Sequence, residues 1–240
     1  MLSKNEHKLI TSLRQKKYRI QHQLFVAEGI KVVNEFLNSN LLLEKLFCVE
    51  DYYQSISKYK PKIISEKELL KLSNLSTPNK VIGIFKIPKV SITKPTGLIV
   101  ALDVVNDPGN LGTIIRLCDW FGVTQLVCSK DTVDCYNSKV VQATMGSLAR
   151  IPIVYTDLKE YLKNSNLPIY GAVMDGKNAH SSTLKKEAIL VMGNESNGIS
   201  SEIEKLISHK ITIPKFSKTN TPESLNVATA TAILLNEFKR

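Results

Sequence analysis

The sequence predicts an α/β fold in two parts. From residue 98 onwards, short apolar runs alternate with segments of helical periodicity, which is typical of a mostly parallel sheet covered on both faces. Residues 88–97 carry two prolines among lysine, serine and threonine, and they form the best boundary in the chain. The 240 residues are enough for one large domain or two small ones. We therefore expect a small α/β domain followed by a larger one.

Positive charge is concentrated in the first part. Lys and Arg minus Asp and Glu give 17 − 8 = +9 for residues 1–97 and 15 − 14 = +1 for residues 98–240, out of a net +10. A basic module beside a near-neutral one indicates that the first part gathers a polyanion on which the second part acts. A lysine-rich solvated surface is the alternative that charge alone leaves open.

Cysteine usage and hydropathy limit the class of protein. Cys48, Cys118, Cys128 and Cys135 show no C-x-x-C spacing, which argues against structural zinc and for a reducing compartment. The N-terminus has no apolar signal region, and no apolar run approaches the roughly 18 residues of a membrane span. The scattered histidines suggest no metal site. We expect a soluble, cytoplasmic protein without a metal.

Periodicity and turn residues predict the individual elements. A basic amphipathic helix and loop occupy residues 4–20, and Ser65 with Glu68 forms a capping box at the start of a helix. Strands are expected at 24–27, 41–49, 62–64, 81–87, 98–105, 125–129, 151–155, 169–174, 188–193 and 210–213. Further helices are expected from 30, over 111–121, over 139–148, from 157, from 200 and over 224–238.

The most informative stretch is NDPGNLGTIIR, residues 106–116, where a buried strand turns into a helix. Asn110 is predicted to be the N-cap of that helix. Gly112 and Arg116 are four residues apart and therefore share a helix face, which leaves space beside the guanidinium. This places a cation at the carboxyl end of a strand, where open α/β sheets bind ligands. The alternative is an ordinary turn followed by a surface arginine paired with Asp119 or another carboxylate.

Two later stretches complete a pattern. They are VMGNESNGIS at 191–200, and ITIP at 211–214 followed by SLNVA at 224–228. In this order and spacing, the three stretches resemble the motifs of the SpoU/TrmH family of RNA ribose 2'-O-methyltransferases, of the SPOUT superfamily, over about the last 145 residues. Residues 19–29 resemble the entry to the small substrate-binding domain of many members. Neither G-x-G-x-x-G nor G-x-x-x-x-G-K-[ST] occurs, which disfavours Rossmann and P-loop enzymes.

The resemblance implies a specific architecture and activity. Residues 1–90 would form an RNA substrate-binding domain with a ribosomal-protein-like α/β fold, residues 91–97 a linker, and residues 98–240 a SPOUT methyltransferase domain with a trefoil knot. The chain would act as a homodimer and use S-adenosylmethionine to methylate a ribose 2'-hydroxyl of structured RNA. Ribosomal RNA is the first expectation and transfer RNA the second, because the basic domain resembles a reader of structured RNA.

The resemblance also implies roles for individual residues. Catalysis is assigned to Arg116, Asn110, Glu195, Ser224 and Asn226. Cofactor binding is assigned to Met174, Asp175, Gly176, Met192, Gly193, Asn194, Gly198, Ile213, Pro214, Ser224, Leu225, Asn226 and Ala228. RNA binding is assigned to Arg14, Lys16, Lys17, Arg19 and Arg116.

Simpler roles compete with these assignments. Met174 and Met192 could instead fill the core, Glu195 could cap the helix near Ser200, and Asn226 could cap the last helix. The loop at 215–223 lacks the glycine usual in the family after Ile213-Pro214, so its contacts with the cofactor are not predicted.

In this family the arginine at position 116 is proposed to deprotonate the ribose hydroxyl. Neutralising an arginine near pH 7 costs about 8 kcal/mol, and a nearby phosphate adds to the cost. We therefore expect a fixed guanidinium that grips the phosphate and stabilises the developing alkoxide. One rival interpretation is a non-catalytic RNA-binding protein, which the intact Asn110, Arg116, Glu195 and Asn226 disfavour. The other is a base methyltransferase of the same superfamily, which the Asn110-x-Gly112-x-x-x-Arg116 pattern disfavours.

Overall fold

The computed structural model describes residues 2–90, 96–217 and 224–240. It divides into two compact units: unit 1 is Met1–Lys89 with Asp134–Arg150, and unit 2 is Val90–Val133 with Ile151–Arg240. The chain first passes from unit 1 to unit 2 near residue 90, and residues 134–150 return to unit 1, which the sequence does not predict. Most of the predicted linker, residues 91–95, and most of the atypical loop, residues 218–223, lie outside the described residues.

The elements are numbered in chain order. The helices are α1 Lys4–Ser12, α2 Lys16–His22, α3 Ile30–Leu37, α4 Tyr53–Ile56, α5 Glu66–Leu72, α6 Pro108–Trp120, α7 Ser138–Ala143, α8 Leu158–Lys163, α9 Ser201–Glu204 and α10 Val227–Lys239. The strands are β1 Leu24–Glu28, β2 Leu43–Cys48, β3 Lys62–Ile63, β4 Val81–Lys86, β5 Leu98–Leu102, β6 Gln125–Ser129, β7 Ile153–Thr156, β8 Ile169–Asn178, β9 Ala188–Met192 and β10 His209–Thr212.

Unit 1 is built on a four-stranded sheet in the order β1-β4-β2-β3. The rings of Phe25, Phe36 and Phe85 form its centre, with centroids 5.4 to 5.9 Å apart. The predicted capping box of Ser65 and Glu68 is confirmed, because each side chain accepts a hydrogen bond from the other residue's backbone amide. The basic segment at 4–20 forms two helices, α1 and α2, rather than one helix and a loop.

The segment Asp134–Arg150 packs into unit 1 although it follows β6 of the other sheet. The Tyr136 ring lies 4.8 Å from the Phe25 ring, and α7 packs beside β1. Gly146 has φ +102°, and a Cβ there would lie 2.5 Å from the Glu35 Cβ, so the turn can approach α3 only with glycine. Unit 1 then carries 18 Lys and Arg against 9 Asp and Glu, or +9, and unit 2 carries 14 against 13, or +1.

Unit 2 contains a six-stranded parallel sheet in the order β10-β8-β9-β5-β6-β7. On one face, Ile99 and Ala101 pack with Leu158 of α8 and Ile203 of α9. On the other face, alternate residues such as Val100 are also fully buried. The predicted parallel sheet covered on both faces is therefore confirmed. Within the described residues, no helix is long and apolar enough to cross a bilayer.

Two elements of unit 2 differ from the predicted bounds in ways that matter for function. β5 ends at Leu102 rather than 105, because Val104 adopts a left-handed backbone with φ +59°. β8 extends to Asn178, and its register with β10 jumps from Gly171 to Lys177. Residues 172–176 therefore form an arch that is unpaired with β10.

The strand order places a crevice between β5 and β9. From β5 the chain adds β6 and β7 on one side, while β8, β9 and β10 lie on the other side. The direction in which strands are added to the sheet therefore reverses at this point. Because all the strands are parallel, the segments after β5 and β9 leave the sheet at the same edge. This edge carries the residues described next.

Candidate active site

The turn after β5 is held in an unfavourable conformation by its surroundings. Val104 has φ +59°, which is a clear outlier for a β-branched residue. Its N–H donates to the Ser129 Oγ at 3.0 Å, and its carbonyl accepts from the Asn194 Nδ2 at 2.7 Å. The preceding buried Asp103 accepts from the Ser200 N–H at 2.7 Å. These bonds fix the direction in which the following residues leave the sheet.

The helix α6 is capped by Asp107 and not by Asn110 as predicted. The Asp107 Oδ1 accepts from the Asn110 N–H at 2.8 Å, and Pro108 occupies the first turn. Asn110 therefore lies inside the first turn, where its side chain is available for other contacts. Its Nδ2 donates to the Glu195 Oε1 at 3.0 Å, and its Oδ1 accepts from the Asn226 Nδ2 at 2.8 Å.

Glu195 lies on a closed hairpin directly after β9. Asn194 and Gly198 exchange backbone hydrogen bonds of 2.8 and 3.0 Å. A Cβ on Gly193 would lie 2.2 Å from the Gly198 carbonyl carbon, so only glycine allows the hairpin to close. Helix α9 begins after Ser200, whose amide bonds to Asp103. Glu195 is therefore not the cap of that helix.

The Glu195 carboxylate accepts from donors on the segment after β5. The backbone amides of Asn106 and Asp107 lie at 3.3 and 3.1 Å, and the Asn110 side chain lies at 3.0 Å. Partial burial raises the pKa of Glu195, but the hydrogen bond from Asn110 and the backbone amides outweigh it and lower the pKa below the ordinary 4.5. Glu195 is thus an anion whose lone pairs are largely engaged.

Asn226 is both a helix cap and a member of this network. Its Oδ1 accepts from the amides of Ala228 and Thr229 at 2.9 and 3.2 Å at the start of α10, while its Nδ2 reaches Asn110. The predicted alternative of a helix cap is confirmed, and the same side chain also contacts Asn110. Ser224 and Leu225 precede it and are exposed. Through Asn110, the three predicted motifs meet at one point.

Arg116 lies six residues after Asn110 on α6 and is exposed. Within residues 2–90, 96–217 and 224–240, the structure gives its guanidinium no ion pair and no hydrogen bond. The predicted alternative of a pair with Asp119 is therefore not found. Trp120, four residues further along the same helix face, is 84% exposed. The guanidinium is available to a ligand at this surface.

The residues that are predicted to bind the cofactor lie together at the same edge of the sheet. Met174, Asp175 and Gly176 lie on the arch of β8, where the Met174 carbonyl accepts from the Thr212 Oγ1 at 3.2 Å. A Cβ on Gly176 would lie 2.5 Å from the Ile211 carbonyl carbon, so the arch and β10 meet closely. Ile213 and Pro214 continue directly from β10.

The side chains of the residues predicted to bind the cofactor differ in their exposure to solvent. Met174 and Leu225 are 62% and 50% exposed, while Met192 is 2% exposed and belongs to the core, as the alternative for that residue predicted. Ala228 is buried beneath the start of α10, and Gly198 is exposed on the hairpin. Exposed apolar side chains beside main-chain donors and acceptors fit the thioether chain and adenine of S-adenosylmethionine.

One residue predicted to bind RNA is buried instead. Arg19 is 3% exposed, donates to Asp134 at 2.9 and 2.5 Å, and donates to the carbonyls of Leu13 and Arg14 at 2.9 Å. It cannot contact RNA, and its role is structural. Arg14 donates to the Leu72 carbonyl at 3.1 Å but stays exposed, as do Lys16 and Lys17.

In the described part of the chain, no three His, Cys, Asp or Glu side chains converge on a point where they could hold a metal. The four cysteines are buried and form no disulfide there, and burial raises the pKa of the Cys118 thiol far above its ordinary value. These thiols therefore act as small core residues.

Comparison with known proteins agrees with this geometry. The SpoU rRNA Methylase family matches residues 97–236, and the MRM3-like substrate binding domain matches residues 4–83. The 23S rRNA (guanosine(2553)-2'-O)-methyltransferase of Bacillus subtilis is 29% identical over 237 residues, covering 95% of this chain and 93% of that protein.

Two solved structures share the whole fold. A TrmH-family protein from Porphyromonas gingivalis superposes with a TM-score of 0.90 at 36% identity, covering 100% of this chain and 98% of that one. The AdoMet-bound rRNA methyltransferase from Sinorhizobium meliloti gives a TM-score of 0.86 at 29% identity, covering 99% of this chain and 95% of that one. Both the α/β fold and the two-part organisation are thus shared.

The anionic state of Glu195 generates a first prediction. In Glu195→Gln, the side-chain NH2 would face amide donors, so we expect a loss of about 1 to 3 kcal/mol of unfolding free energy at pH 7. Because folding lowers the pKa of Glu195 from 4.5, its stabilisation is complete above about pH 4.5 and is lost as the pH falls through the folded value. Urea unfolding between pH 7 and 3 measures both effects. The exposed Glu187→Gln is the control, and equal behaviour of the two variants would contradict the prediction.

The strain at Val104 generates a second prediction. Val104→Gly relieves the left-handed conformation, so the unfolding free energy should stay unchanged or rise by up to about 1 kcal/mol despite the lost side chain. The matched control is Val105→Gly, which removes a fully buried side chain and should lose about 3 kcal/mol. Equilibrium unfolding in urea compares them. An equal loss in both variants would show that Val104 stores no strain.

Proposed function

We propose that this chain, which belongs to the SpoU rRNA Methylase family, transfers a methyl group from S-adenosylmethionine to a ribose 2'-hydroxyl of ribosomal RNA. The observation that carries the proposal is the network of Glu195, Asn110 and Asn226, which joins the three motifs at the crevice between β5 and β9. On the same helix as Asn110 lies a guanidinium with no partner among the described residues. The relatives named above supply the reaction class.

Glu195 serves this reaction by positioning other groups. A general base needs a free lone pair and a pKa near the working pH. Glu195 has neither, because amide donors occupy its oxygens and lower its pKa. Its carboxylate instead fixes the segment after β5, from which α6 and Arg116 extend.

Arg116 is the group that acts on the substrate. As a planar cation it binds a phosphate with two parallel hydrogen bonds and stabilises negative charge on the ribose oxygen as the proton leaves. Since an arginine near pH 7 loses its proton only at a cost of about 8 kcal/mol, the proton passes to water rather than to the guanidine. The catalytic contribution of Arg116 is electrostatic.

The cofactor supplies an electrophilic methyl group when it is bound. The arch residues Met174, Asp175 and Gly176, the hairpin from Gly193 to Gly198, Ile213 and Pro214, and the segment from Ser224 to Asn226 would hold it. The hairpin is closed by its own backbone bonds, and Asn226 is fixed by its helix cap. This part of the site is therefore largely formed before binding. Because the chain belongs to this family, we also propose that the segment from about Gly193 to the C-terminus forms a trefoil knot.

Unit 1 is the proposed RNA-binding part. Its +9 charge, against +1 for unit 2, favours a polyanion. Its match to a substrate-binding domain of rRNA-modifying relatives favours ribosomal over transfer RNA. We accordingly assign RNA binding to residues 1–90 together with 134–150, and methyl transfer to the remainder.

The alternative is an RNA-binding protein that has kept the fold without catalysis. It would retain the structural network of Glu195 but would not need an available Arg116. Incubating the purified protein with labelled S-adenosylmethionine and rRNA, then mapping 2'-O-methylation, distinguishes the two. Transfer of label to a ribose supports the enzyme, and binding without transfer supports the alternative.

We further propose a homodimer formed through α6 and α10. These helices pack against each other, and each leaves an apolar side chain in solvent, Trp120 at 84% and Ile233 at 38% exposure. An exposed tryptophan is a frequent anchor of protein interfaces. A dimer through this face would bury both side chains.

The role of Arg116 generates a third prediction. Arg116→Lys keeps the charge and loses the planar fork, and Arg116→Ala loses both, so turnover should fall about 100-fold or more in each. Calorimetry should show unchanged S-adenosylmethionine affinity, because Arg116 is not among the residues assigned to the cofactor. Lys163→Ala, on the surface of α8, is the control. Near-normal turnover of Arg116→Ala would exclude Arg116 from the chemistry.

The dimer generates a fourth prediction. Trp120→Gln should convert the protein to a monomer at micromolar concentration, as measured by sedimentation velocity. The side chain is already exposed in one chain, so the thermal stability of each chain should hardly change. Leu42→Gln, at an apolar residue of unit 1 that is 65% exposed, should leave the assembly intact. A Trp120→Gln protein with the wild-type mass would exclude this interface.

A further inference from the structure

The segment from His7 to Ala27 has an unusual charge pattern for a folded surface. Its 21 residues contain no Asp or Glu and five Lys or Arg, namely Lys8, Arg14, Lys16, Lys17 and Arg19. Arg19 is neutralised by Asp134, and the other four are exposed. The only acidic side chain on α1 and α2 is Glu6, which pairs with Lys45 and Lys62, so the surface of the two helices is positively charged.

Arg19 holds α2 in a fixed position. It donates to the Leu13 and Arg14 carbonyls in the turn between the two helices and to Asp134 in the returning segment. A buried guanidinium with four hydrogen bonds fixes the rotation of a seven-residue helix that would be marginal alone. The side chains on the outer face of α2 are thereby presented in a set orientation.

That outer face carries aromatic rings among the lysines. The Lys17 Nζ lies 4.7 Å from the centroid of the Tyr18 ring. The Tyr18 and His22 rings are nearly parallel, at 22° with centroids 6.4 Å apart, and His22 is exposed. Ile20, on the same short helix, is 57% exposed. The Lys17 ammonium, the Tyr18 ring and the His22 ring therefore form a row, and the His22 end of this row is exposed to solvent.

We propose that α2 binds an unpaired nucleotide of the RNA substrate. A base stacks on the exposed ring of His22 and extends the Tyr18 stack, while Lys16 and Lys17 contact the phosphates on either side. Exposed rings beside lysines fit a splayed base and its backbone, whereas duplex RNA offers only phosphates and 2'-hydroxyls to a surface of this kind. This inference rests on the proposed function, because it takes RNA as the substrate.

Two variants of the full chain separate stacking from charge. Tyr18→Leu with His22→Leu removes the rings, and Lys16→Gln with Lys17→Gln removes the cations. The matched controls are Tyr53→Leu and Lys58→Gln on α4 and the following turn, next to Glu50 and Asp51. The probes are an RNA hairpin with an unpaired loop of eight nucleotides and a blunt duplex of the same length. Dissociation constants are measured over a range of salt concentrations.

The ring variant should bind the hairpin about 5-fold to 100-fold more weakly, with the salt slope and the duplex affinity unchanged. The lysine variant should lower the salt slope by about 1 to 2 for both probes. Unchanged S-adenosylmethionine affinity shows that unit 2 is intact. Wild-type hairpin affinity in the ring variant, or an equal loss for hairpin and duplex, would overturn the inference.

The methylation assay keeps this inference distinct from the proposed function. If the wild-type chain transfers no methyl group to rRNA, the proposed function fails, and the hairpin and duplex titrations still decide whether α2 stacks a base. If it does transfer, a ring variant with raised KM and unchanged kcat supports the surface. A ring variant with unchanged KM excludes the stacking of a base on α2, whereas the proposed function is still supported.

Discussion

The crevice between β5 and β9 depends on one carboxylate and the donors around it. Glu195 lies 85 residues from Asn110 in sequence, yet their side chains meet because two neighbouring parallel strands end at the same edge. Hydrogen bonds to an ionised acceptor are about twice as strong as neutral ones, and the donors here include two backbone amides that no side-chain substitution can remove. Leaving these donors without an anion would cost more than the bonds contribute, so the charge of Glu195 is a structural requirement. A carboxylate held in this way is a poor base. We therefore propose that a different residue, Arg116, supplies the charge that acts on the substrate.

The structure concentrates its strained and crowded positions around that carboxylate. Val104, two residues before the first amide that binds Glu195, is left-handed, and Gly193, two residues before Glu195 itself, has no room for a Cβ. The strain at Val104 persists because side chains from two other segments, Ser129 and Asn194, bond both of its polar backbone groups. Hydrogen bonds from neighbouring segments thus fix the backbone on both sides of the crevice. Among the described residues no side chain or carbonyl bonds to the Arg116 guanidinium, so its five N–H donors are open to the substrate that we propose.

How much the sequence could predict depends on the range of the interactions concerned. Strands such as Gln125–Ser129 and the capping box at Ser65 follow from local patterns, and both were predicted with their correct bounds. The sequence leaves the cap of α6 open between Asn110 and Asp107 because Asn and Asp are equally good caps, and Pro108, which prefers the position immediately after the cap, is the signal that favours Asp107. The sequence predicts that Arg19 binds RNA because nothing local indicates its partner, Asp134, which lies 115 residues away. The arch of β8 depends on its register with β10, and no local pattern encodes the register between strands distant in sequence.

The segment from Asp134 to Arg150 makes unit 1 dependent on the methyltransferase part of the sequence. It supplies the carboxylate that neutralises the buried Arg19 and the Tyr136 ring that packs on Phe25. Without it, Arg19 would be an uncompensated buried charge, a defect that typically costs 3 to 5 kcal/mol, which is comparable to the whole stability of a small domain. A fragment ending near residue 90 would therefore lack part of its own core, and one beginning near residue 97 would carry an unpaired apolar segment. The proline and charge patterns indicate a boundary along the chain, but unit 1 includes residues from beyond that boundary. Binding of RNA and transfer of the methyl group must accordingly be separated by point substitutions in the full chain, not by cutting it.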